Sequence, residues 1–224
     1  MATINSTILR KPEAIRNQMI AARAAGFAEL AEAMEVLLPS KASNDYLEKL
    51  AIESIGAACS GKKLGADGFF VGGGGVEAKP HKGNSTRAAG GCINDDTPMK
   101  LKRDFHEIQT IVFLNATETG DAVNWEVVAP YHYWTGARFA GICKRLNVTR
   151  EWPTTRDEQV LALDELVTHH KKETYVRSNP LSLAILSSIP LHEIAIWVHP
   201  DLPEKSLPKI LKTLRTQTSV PLTA

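Results

Sequence analysis

Residues 67–84 read DGFFVGGGGVEAKPHKGN and place four consecutive glycines between two short apolar runs. Residues 69–71 (FFV) are typical of a β-strand and residues 76–79 (VEAK) of a returning strand, so the glycines predict a hairpin turn. Side chains two residues apart on a strand share one face, which directs Glu77 and Lys79 to the same side of the sheet. The hairpin is therefore expected to present a carboxylate and an ammonium group together.

The glycines also bear on the position of Asp67. With a symmetric loop of two or four residues, Phe70 would pair with Glu77, and Asp67 would face the opposite side of the sheet. A shared site requires an odd loop, a β-bulge or strong local twisting, and glycine supplies the positive φ that a bulged turn needs. We therefore predict that the glycines reset the register, so that Asp67 joins Glu77 and Lys79.

This set of side chains suits the hydrolysis of a phosphodiester. The carboxylates of Asp67 and Glu77 can hold Mg²⁺ through oxygen ligands while the ion keeps several waters, and the carbonyl of Ala78 could also reach the metal. Lys79 could orient the attacking water or stabilise charge in the transition state. Acidic-x-Lys patterns arise readily by chance, so the alternative is that Glu77 and Lys79 form a solvated ion pair beside a glycine turn.

A helix with glutamates followed by ADGFFVGGGGVEAKP resembles the core of the PD-(D/E)xK nuclease superfamily, which includes many type II restriction endonucleases. The matching residues are Asp67 and Glu77 for the two acids of the motif and Lys79 for its lysine. The resemblance covers about residues 46–115, and Ala66 stands where the family has its namesake proline. It implies an α/β core with a central mixed sheet, Mg²⁺ as cofactor and the hydrolysis of DNA.

The resemblance also implies a glutamate of the preceding helix near the metal, and the helix offers two. Asp45 and Glu48 fit a capping box, which would occupy Glu48 at the start of the helix. Glu53 lies beside the Leu50 edge of the buried stripe. We therefore predict Glu53 as the assisting catalytic residue, the alternative being a solvated helix glutamate.

The polar segment after Lys79 is the predicted DNA contact. Its side chains are of the types that grip phosphates or read base edges: His81, Lys82, Asn84, Ser85, Thr86 and Arg87. The alternative is a solvated polar loop. Residues 131–134 (YHYW) could stack on bases but are expected to belong to the core, and the later Arg138 could line a DNA backbone.

The remaining pattern predicts an α/β (α+β) fold with a restriction-endonuclease-like core, a central mixed β-sheet flanked by helices. Helices are expected at residues 12–37 with a break at Gly26, and at 46–59, 157–172 and 203–216; strands are expected at 108–117, 125–134 and 192–199, and a long loop at 80–104. We expect one domain over residues 1–224, with an N-terminal helical segment (1–40), a catalytic core (41–200) and a C-terminal helix and tail (201–224).

The composition is that of an ordinary globular protein, with 224 residues, 43% hydrophobic and 23% charged residues and a net charge of +1. A surface for nucleic acid must therefore come from local clustering of charge. The three cysteines are widely spaced without a CxxC pair, which indicates neither a zinc site nor a disulfide framework. With no signal-peptide pattern and no apolar run near about 18 residues, we expect a cytoplasmic protein without a membrane partner.

The leading hypothesis is a Mg²⁺-dependent, sequence-specific type II DNA endonuclease. It is expected to act on double-stranded DNA as a homodimer, because two-fold symmetry matches a palindromic target and supplies two active sites. Two alternatives stay open at this point: a structure-specific repair or junction nuclease, and a non-catalytic DNA-binding protein on the same fold.

Overall fold

The computed structural model describes residues 3–37, 44–61, 65–84, 91–170 and 175–217. The strands in these ranges are β1 (Ala58–Cys59), β2 (Gly68–Phe69), β3 (Gly75–Lys82), β4 (Cys92–Asp96), β5 (Ile108–Ala116), β6 (Val123–Pro130), β7 (Val176–Pro180) and β8 (Ala195–Val198). The α-helices are α1 (Ser6–Leu9), α2 (Lys11–Ala24), α3 (Ala28–Leu37), α4 (Asn44–Ser54), α5 (Pro98–Glu107), α6 (His132–Leu146), α7 (Arg156–His169) and α8 (Lys209–Gln217).

A central sheet of six strands, in the order β1-β2-β3-β5-β6-β8, organises these elements. Strands β3 and β5 are parallel, and the other neighbours in the sheet are antiparallel. Strands β4 and β7 form a separate two-stranded antiparallel sheet. The predicted α/β fold with a central mixed sheet flanked by helices is confirmed. In the described part of the chain, no helix combines the length and apolar character needed to cross a membrane.

The two faces of the sheet carry separate cores. On one face, Leu47 and Leu50 of α4 pack with Val76 and Ala78 of β3. On the other face, Ile111 and Phe113 of β5 pack with Trp134 and the C-terminal segments. Register partners on adjacent strands share a face, and Glu77 is paired with Ile111. Glu77 therefore lies on the face opposite α4.

Several predicted elements are confirmed. Residues 12–37 form α2 and α3, separated near Gly26, whose φ of +85° suits the break between them. Strand β5 fills the predicted strand at 108–117, and β8 lies within the strand predicted at 192–199. Helix α7 begins after Thr155, whose side chain caps it by accepting the N–H of Glu158.

The predicted loop at residues 80–104 is wrong. Strand β3 continues to Lys82, and strand β4 and helix α5 occupy much of the remaining segment. Helix α5 has two regular start signals: Thr97 caps it by accepting the N–H of Lys100, and Pro98 occupies its first turn. The segment was predicted to be a loop because of its polar composition, and these start signals were not recognised.

The predicted strand at residues 125–134 is too long, because β6 ends at Pro130 and α6 begins at His132. Tyr131 and Trp134 are nonetheless fully buried, which confirms the prediction that this aromatic run contributes to the core. The indole N–H of Trp134 donates to the carbonyl of Ser182 at 2.9 Å. The helix start thus buries two large rings between the sheet and the C-terminal segments.

Arg138 of α6 is completely buried, so the suggestion that it lines a DNA backbone is wrong. Its Nε lies 2.8 Å from Asp96 Oδ2, and its Nη1 lies 3.0 Å from Asp104 Oδ2. Arg138 also donates to the hydroxyl of Tyr131, and Asn179 donates to Asp96 at 2.8 Å. This network joins β4, α5, α6 and β7 behind the main sheet.

Candidate active site

The β2–β3 hairpin has an odd loop, one of the three arrangements that a shared site was predicted to require. Phe69 is paired with Gly75, and the N–H of Phe70 donates to the carbonyl of Gly74 at 3.1 Å. These contacts leave the three residues 71–73 as the loop. The hairpin therefore avoids the symmetric register that would separate the two carboxylates.

Glycine is required in this turn for conformational reasons. Gly72, Gly73 and Gly74 have φ values of +97°, +103° and +95°, a region that other residues rarely adopt. The N–H of Gly73 donates to the carbonyl of Phe70 at 3.1 Å and closes the turn. Three consecutive residues with positive φ explain why glycines are repeated here.

A β-bulge then positions Asp67. The register partner of Val76 is Gly68, yet the N–H of Asp67 also donates to the carbonyl of Val76 at 2.8 Å. Two residues of one strand thus stand against one residue of the other, which is the arrangement of a bulge. The Oδ2 atom of Asp67 accepts the N–H of Ala78 at 2.8 Å. Asp67 is thereby fixed beside the strand that carries Glu77.

The backbone of Ala78 faces the same side as Asp67. The N–H and carbonyl of one strand residue point to the same edge of the strand, as the paired hydrogen bonds of antiparallel ladders require. Because the Ala78 N–H bonds to Asp67, the Ala78 carbonyl is also directed to the β2 side of β3. This orientation agrees with the predicted role of Ala78 as a backbone ligand.

Lys79 forms an ion pair with Glu77 in a largely enclosed setting, with 20% of the lysine side chain and 8% of the glutamate side chain exposed. Gly91 packs against the lysine methylenes, because a Cβ built on Gly91 would lie 3.0 Å from Lys79 Cδ. The absence of a side chain at Gly91 therefore leaves the space that Lys79 occupies. The solvated ion pair considered as an alternative does not match this burial.

Burial and the repulsion between the two carboxylates shift the pKa values of the charged groups in the site. Burial raises the pKa of Asp67 and of Glu77, although the attraction of Lys79 opposes both increases. Burial alone would lower the pKa of Lys79, but its attraction to Glu77 and Asp67 outweighs this effect, and the pKa is raised. The buried Glu77 and the half-buried Asp67 thus share one ammonium group, and a bound cation would compensate the remaining negative charge.

Glu48, and not the predicted Glu53, is the helix glutamate that interacts with this site. Burial raises the pKa of Glu48, which interacts with Lys79 and Glu77. Glu53 instead lies 3.3 Å from Lys11 Nζ. The two glutamates are five residues apart, so they point about 140° away from each other around the helix.

The reason for choosing Glu53 also fails. Helix α4 already begins at Asn44, so Asp45 lies in its first turn and not at its cap. Without Asp45 as the cap, the proposed capping box does not hold Glu48. Glu48 is therefore the glutamate of α4 that lies close enough to Lys79 to affect its pKa.

A further carboxylate, Asp104 of α5, lies close enough to raise the pKa of Glu77 and Asp67. Both of its oxygens have cationic partners: Arg103 Nη2 lies 2.7 Å from Oδ1, and Arg138 Nη1 lies 3.0 Å from Oδ2. Asp104 therefore forms ion pairs with Arg103 and Arg138. Asp104 was not predicted from the sequence, because the segment in which α5 begins was predicted to be a loop.

The predicted DNA contacts are only partly described by the structure. His81 and Lys82 are the last residues of β3 and not part of a loop, and His81 shares the face of Glu77 and Lys79 by strand alternation. Asn84 comes after the strand and is exposed. Ser85, Thr86 and Arg87 lie outside the described residues.

The residues present fit a hard divalent cation. Asp67 and Glu77 supply carboxylate oxygens, and Ala78 supplies a carbonyl oxygen directed to the same side. Among the described residues, no three His, Cys, Asp or Glu side chains form a metal-binding group. A site with two carboxylates suits Mg²⁺, which usually keeps several of its waters.

If Lys79 acts on a phosphodiester, as the sequence predicts, substitution of Gly91 by alanine is expected to lower the rate of DNA cleavage about 10- to 100-fold, because a displaced Lys79 would no longer meet the reacting group correctly. The added Cβ would crowd Lys79 Cδ, and a φ of +117° is unfavourable for alanine. Gly56→Ala is the matched control, because Gly56 has a φ of +76° but open space around its Cβ. Equal activity loss in both variants, measured as cleavage rates, would contradict a specific effect on Lys79.

The comparisons with known proteins do not assign this chain to a family. No protein-family model matches the sequence, and no curated protein is significantly similar to it. Its function is therefore inferred from the geometry of the β2–β3 hairpin and its surroundings.

Proposed function

We propose that this protein is a Mg²⁺-dependent, site-specific DNA endonuclease of the type II restriction kind, acting in the cytoplasm. One observation carries the proposal: an odd glycine loop and a bulge bring Asp67 beside Glu77 and Lys79. A hairpin with a symmetric loop would separate these groups. The arrangement supplies the acids and the cation that phosphodiester hydrolysis requires.

Each residue has a role that derives from its position. Asp67 and Glu77, with the carbonyl of Ala78, would hold Mg²⁺, and the ammonium group of Lys79 would orient the attacking water and stabilise the developing negative charge. Mg²⁺, when bound, would polarise the scissile phosphate. The N–H of Ala78 fixes the orientation of Asp67, since it donates to Oδ2 at 2.8 Å.

Glu48 is proposed to assist, in place of Glu53. Its carboxylate interacts with Lys79 and Glu77 from the side of α4. His81, Lys82 and Asn84, which continue from the catalytic strand, are proposed to contact the DNA backbone or bases. The substrate would thus be gripped next to the groups that cleave it.

Cleavage of a long duplex is the direct test of this function. We expect discrete fragments with Mg²⁺ and none with EDTA. Cleavage restricted to branched or single-stranded DNA would instead favour a structure-specific repair or junction nuclease. DNA binding without any metal-dependent cleavage would favour a non-catalytic DNA-binding protein, in which the Glu77–Lys79 ion pair is purely structural.

Mg²⁺ is expected to raise the melting temperature of the protein, and Asp67→Asn is expected to abolish this increase. At ten times the dissociation constant, a ligand stabilises by about 1.4 kcal/mol, which corresponds to roughly 3 to 6 °C for a chain of this size. Glu118→Gln, a change of an exposed residue, is the control. An equal Mg²⁺-induced increase in Asp67→Asn, measured by thermal unfolding, would contradict the assignment of Asp67 as a ligand.

A further inference from the structure

Strands β4 and β7 form a two-stranded ribbon that is separate from the main sheet and begins beside the proposed active site. Gly91, which directly precedes β4, packs against Lys79. The carbonyl of Gly91 also accepts the N–H of Leu181, which directly follows β7, at 2.9 Å. One end of the ribbon is therefore fixed next to Lys79, and the ribbon extends from this end over about 16 Å, the length of five strand residues.

The inner face of the ribbon is anchored by buried polar groups. Ile93 and Asn179 are register partners, and both are buried. The side-chain amide of Asn179 donates to Asp96 at 2.8 Å and to the carbonyl of Arg138 at 3.0 Å. Asp96 in turn forms a fully buried ion pair with Arg138 of α6. The ribbon is thus held in a defined position on α6, as a surface that recognises a fixed ligand geometry requires.

A break in the strand alternation exposes two consecutive polar side chains of β4. Along a regular strand, Ile93 and Asp96 would face opposite sides, yet both are buried. Asp95 has a left-handed conformation with a φ of +48°, which breaks the alternation between them. Asn94 and Asp95 are therefore both exposed. The amide oxygen of Asn94 accepts the thiol of Cys92 at 3.3 Å, a weak hydrogen bond that a stronger donor can replace.

Strand β7 presents a matching pair of exposed side chains. Arg177 and Ser178 are both exposed, and Ser178 is the register partner of Asn94. The ladder continues in the same register to its next pair, so Asp95 lies opposite Arg177. These four exposed side chains make up the polar ribbon face: Asn94, Asp95, Arg177 and Ser178.

The chemistry of the polar ribbon face fits the edges of DNA bases. Arginine makes paired hydrogen bonds with guanine, asparagine does so with adenine, and aspartate accepts a hydrogen bond from cytosine. A protein partner would require apolar contact area at the centre of its interface, whereas all four of these side chains are polar. Because Asp95 and Arg177 have opposite charges, the face would contribute selectivity between bases and not a general attraction to phosphates.

The dimensions of the ribbon also fit DNA. The major groove is about 12 Å wide and admits a two-stranded β-ribbon. Asn94 lies three residues after Gly91, about 10 Å along the strand, which corresponds to about three base-pair steps. We propose that the β4–β7 ribbon enters the major groove and that Asn94 and Arg177 read bases within about three base pairs of the cleaved phosphate. This inference rests on the proposed function, because it assigns the sequence specificity of that site.

Selection of bound duplexes from a randomised DNA library tests the proposal without cleavage. Ca²⁺ replaces Mg²⁺ in this experiment, because it binds oxygen ligands but does not share the strict octahedral geometry of Mg²⁺. The wild type is expected to enrich one sequence motif. Asn94→Ala is expected to lose the preference for adenine at one position of the motif, and Arg177→Gln the preference for guanine at another. Discrimination at the affected position is expected to fall about 5- to 150-fold.

Matched controls separate base reading from a structural effect. Asn17→Ala and Arg10→Gln change exposed side chains at the N-terminal helices and are expected to select the wild-type motif. All four variants are expected to keep the wild-type melting temperature and its increase with Mg²⁺, because the altered side chains are exposed. A purely structural role of Asn94 or Arg177 would weaken binding to all duplexes equally and would leave the preferred bases unchanged.

Sequencing of the ends produced by cleavage with Mg²⁺ distinguishes this inference from the proposed function. Site-specific cleavage by the wild type, with the same sites recovered from Asn94→Ala and Arg177→Gln, would overturn the role of the ribbon and support the nuclease. A motif that these two variants relax, together with no cleavage of any duplex, would support the ribbon and refute the nuclease. A wild type that enriches no motif would overturn the role of the ribbon.

Discussion

Replacement of Lys79 by alanine is expected to lower the rate of DNA cleavage by about 100- to 1000-fold. Lys79 is the one cation that interacts with both Asp67 and Glu77 in the described structure, so its loss removes the stabilisation of charge that develops on the phosphate. The carboxylates remain, and Mg²⁺ is expected to raise the melting temperature of the variant as it does for the wild type. The measurement is a single-turnover cleavage rate on supercoiled plasmid.

The control for this experiment is Lys209→Ala, which removes an exposed lysine at the start of α8. It changes the net charge by the same amount and is expected to cleave at the wild-type rate. If Lys79→Ala also cleaved at that rate, Lys79 would only balance the charge of Glu77. A matching loss in Lys209→Ala would point to general weakening of DNA binding.

The β2–β3 hairpin was predictable from sequence because its causes are local. The glycine run demands positive φ, and the strand period places Glu77 and Lys79 on one face. The requirement for an odd loop, a β-bulge or local twisting came from counting residues between Asp67 and Glu77. All of this information lies within a short segment of the chain.

The choice between Glu48 and Glu53 depended on information that is not local. It required the start of α4 and the rotation at which that helix packs on β3, both of which tertiary contacts set. A shift of two residues in the predicted helix start was enough to create a false capping box. Helix boundaries are the least certain part of sequence interpretation.

The burial of Arg138 likewise depended on information that is not local in the sequence. Its burial depends on Asp96 and Asp104, which lie 42 and 34 positions earlier in the sequence. An isolated arginine in a helix is normally exposed, and only partners brought together by the fold make its burial possible. Sequence patterns alone could not distinguish it from a surface residue that binds DNA.

The second large expected effect is on the pH dependence of stability, and it comes from Glu126 of β6. Its carboxyl group is buried on the face of the sheet that α4 covers. It is fully buried, and burial raises its pKa to about 8 despite its hydrogen bond with Ser54. Ser54 Oγ lies 2.6 Å from Glu126 Oε1 and 2.7 Å from the carbonyl oxygen of Ala51. A serine hydroxyl has one proton, so it cannot donate to both oxygens.

A protonated Glu126 resolves this conflict. Its carboxyl O–H donates to Ser54 Oγ, and the Ser54 hydroxyl then donates to Ala51. The geometry and the raised pKa thus agree that Glu126 is neutral in the folded protein at neutral pH. In the unfolded chain the same group ionises near its ordinary pKa of 4.5.

The sign of the pH dependence is set by these two pKa values. Below the unfolded pKa of 4.5, both states hold the proton, and the stabilisation by the buried neutral group is fully present. Between pH 4.5 and a pH of about 8, only the folded state holds the Glu126 proton. The free energy of unfolding therefore falls by about 1.4 kcal/mol per pH unit in this range. The total loss is on the order of 4 to 5 kcal/mol.

Replacement of Glu126 by glutamine is therefore expected to remove this loss of stability at alkaline pH. The amide N–H₂ can donate to Ser54 as the protonated carboxyl does, and it does not ionise. Urea unfolding should show similar stabilities for variant and wild type at about pH 4.5, and a variant more stable by on the order of 4 kcal/mol at about pH 8. Glu151→Gln, at an exposed position, should show no such gain. A Glu126→Gln variant whose advantage does not grow with pH would show that Glu126 is already ionised in the folded protein.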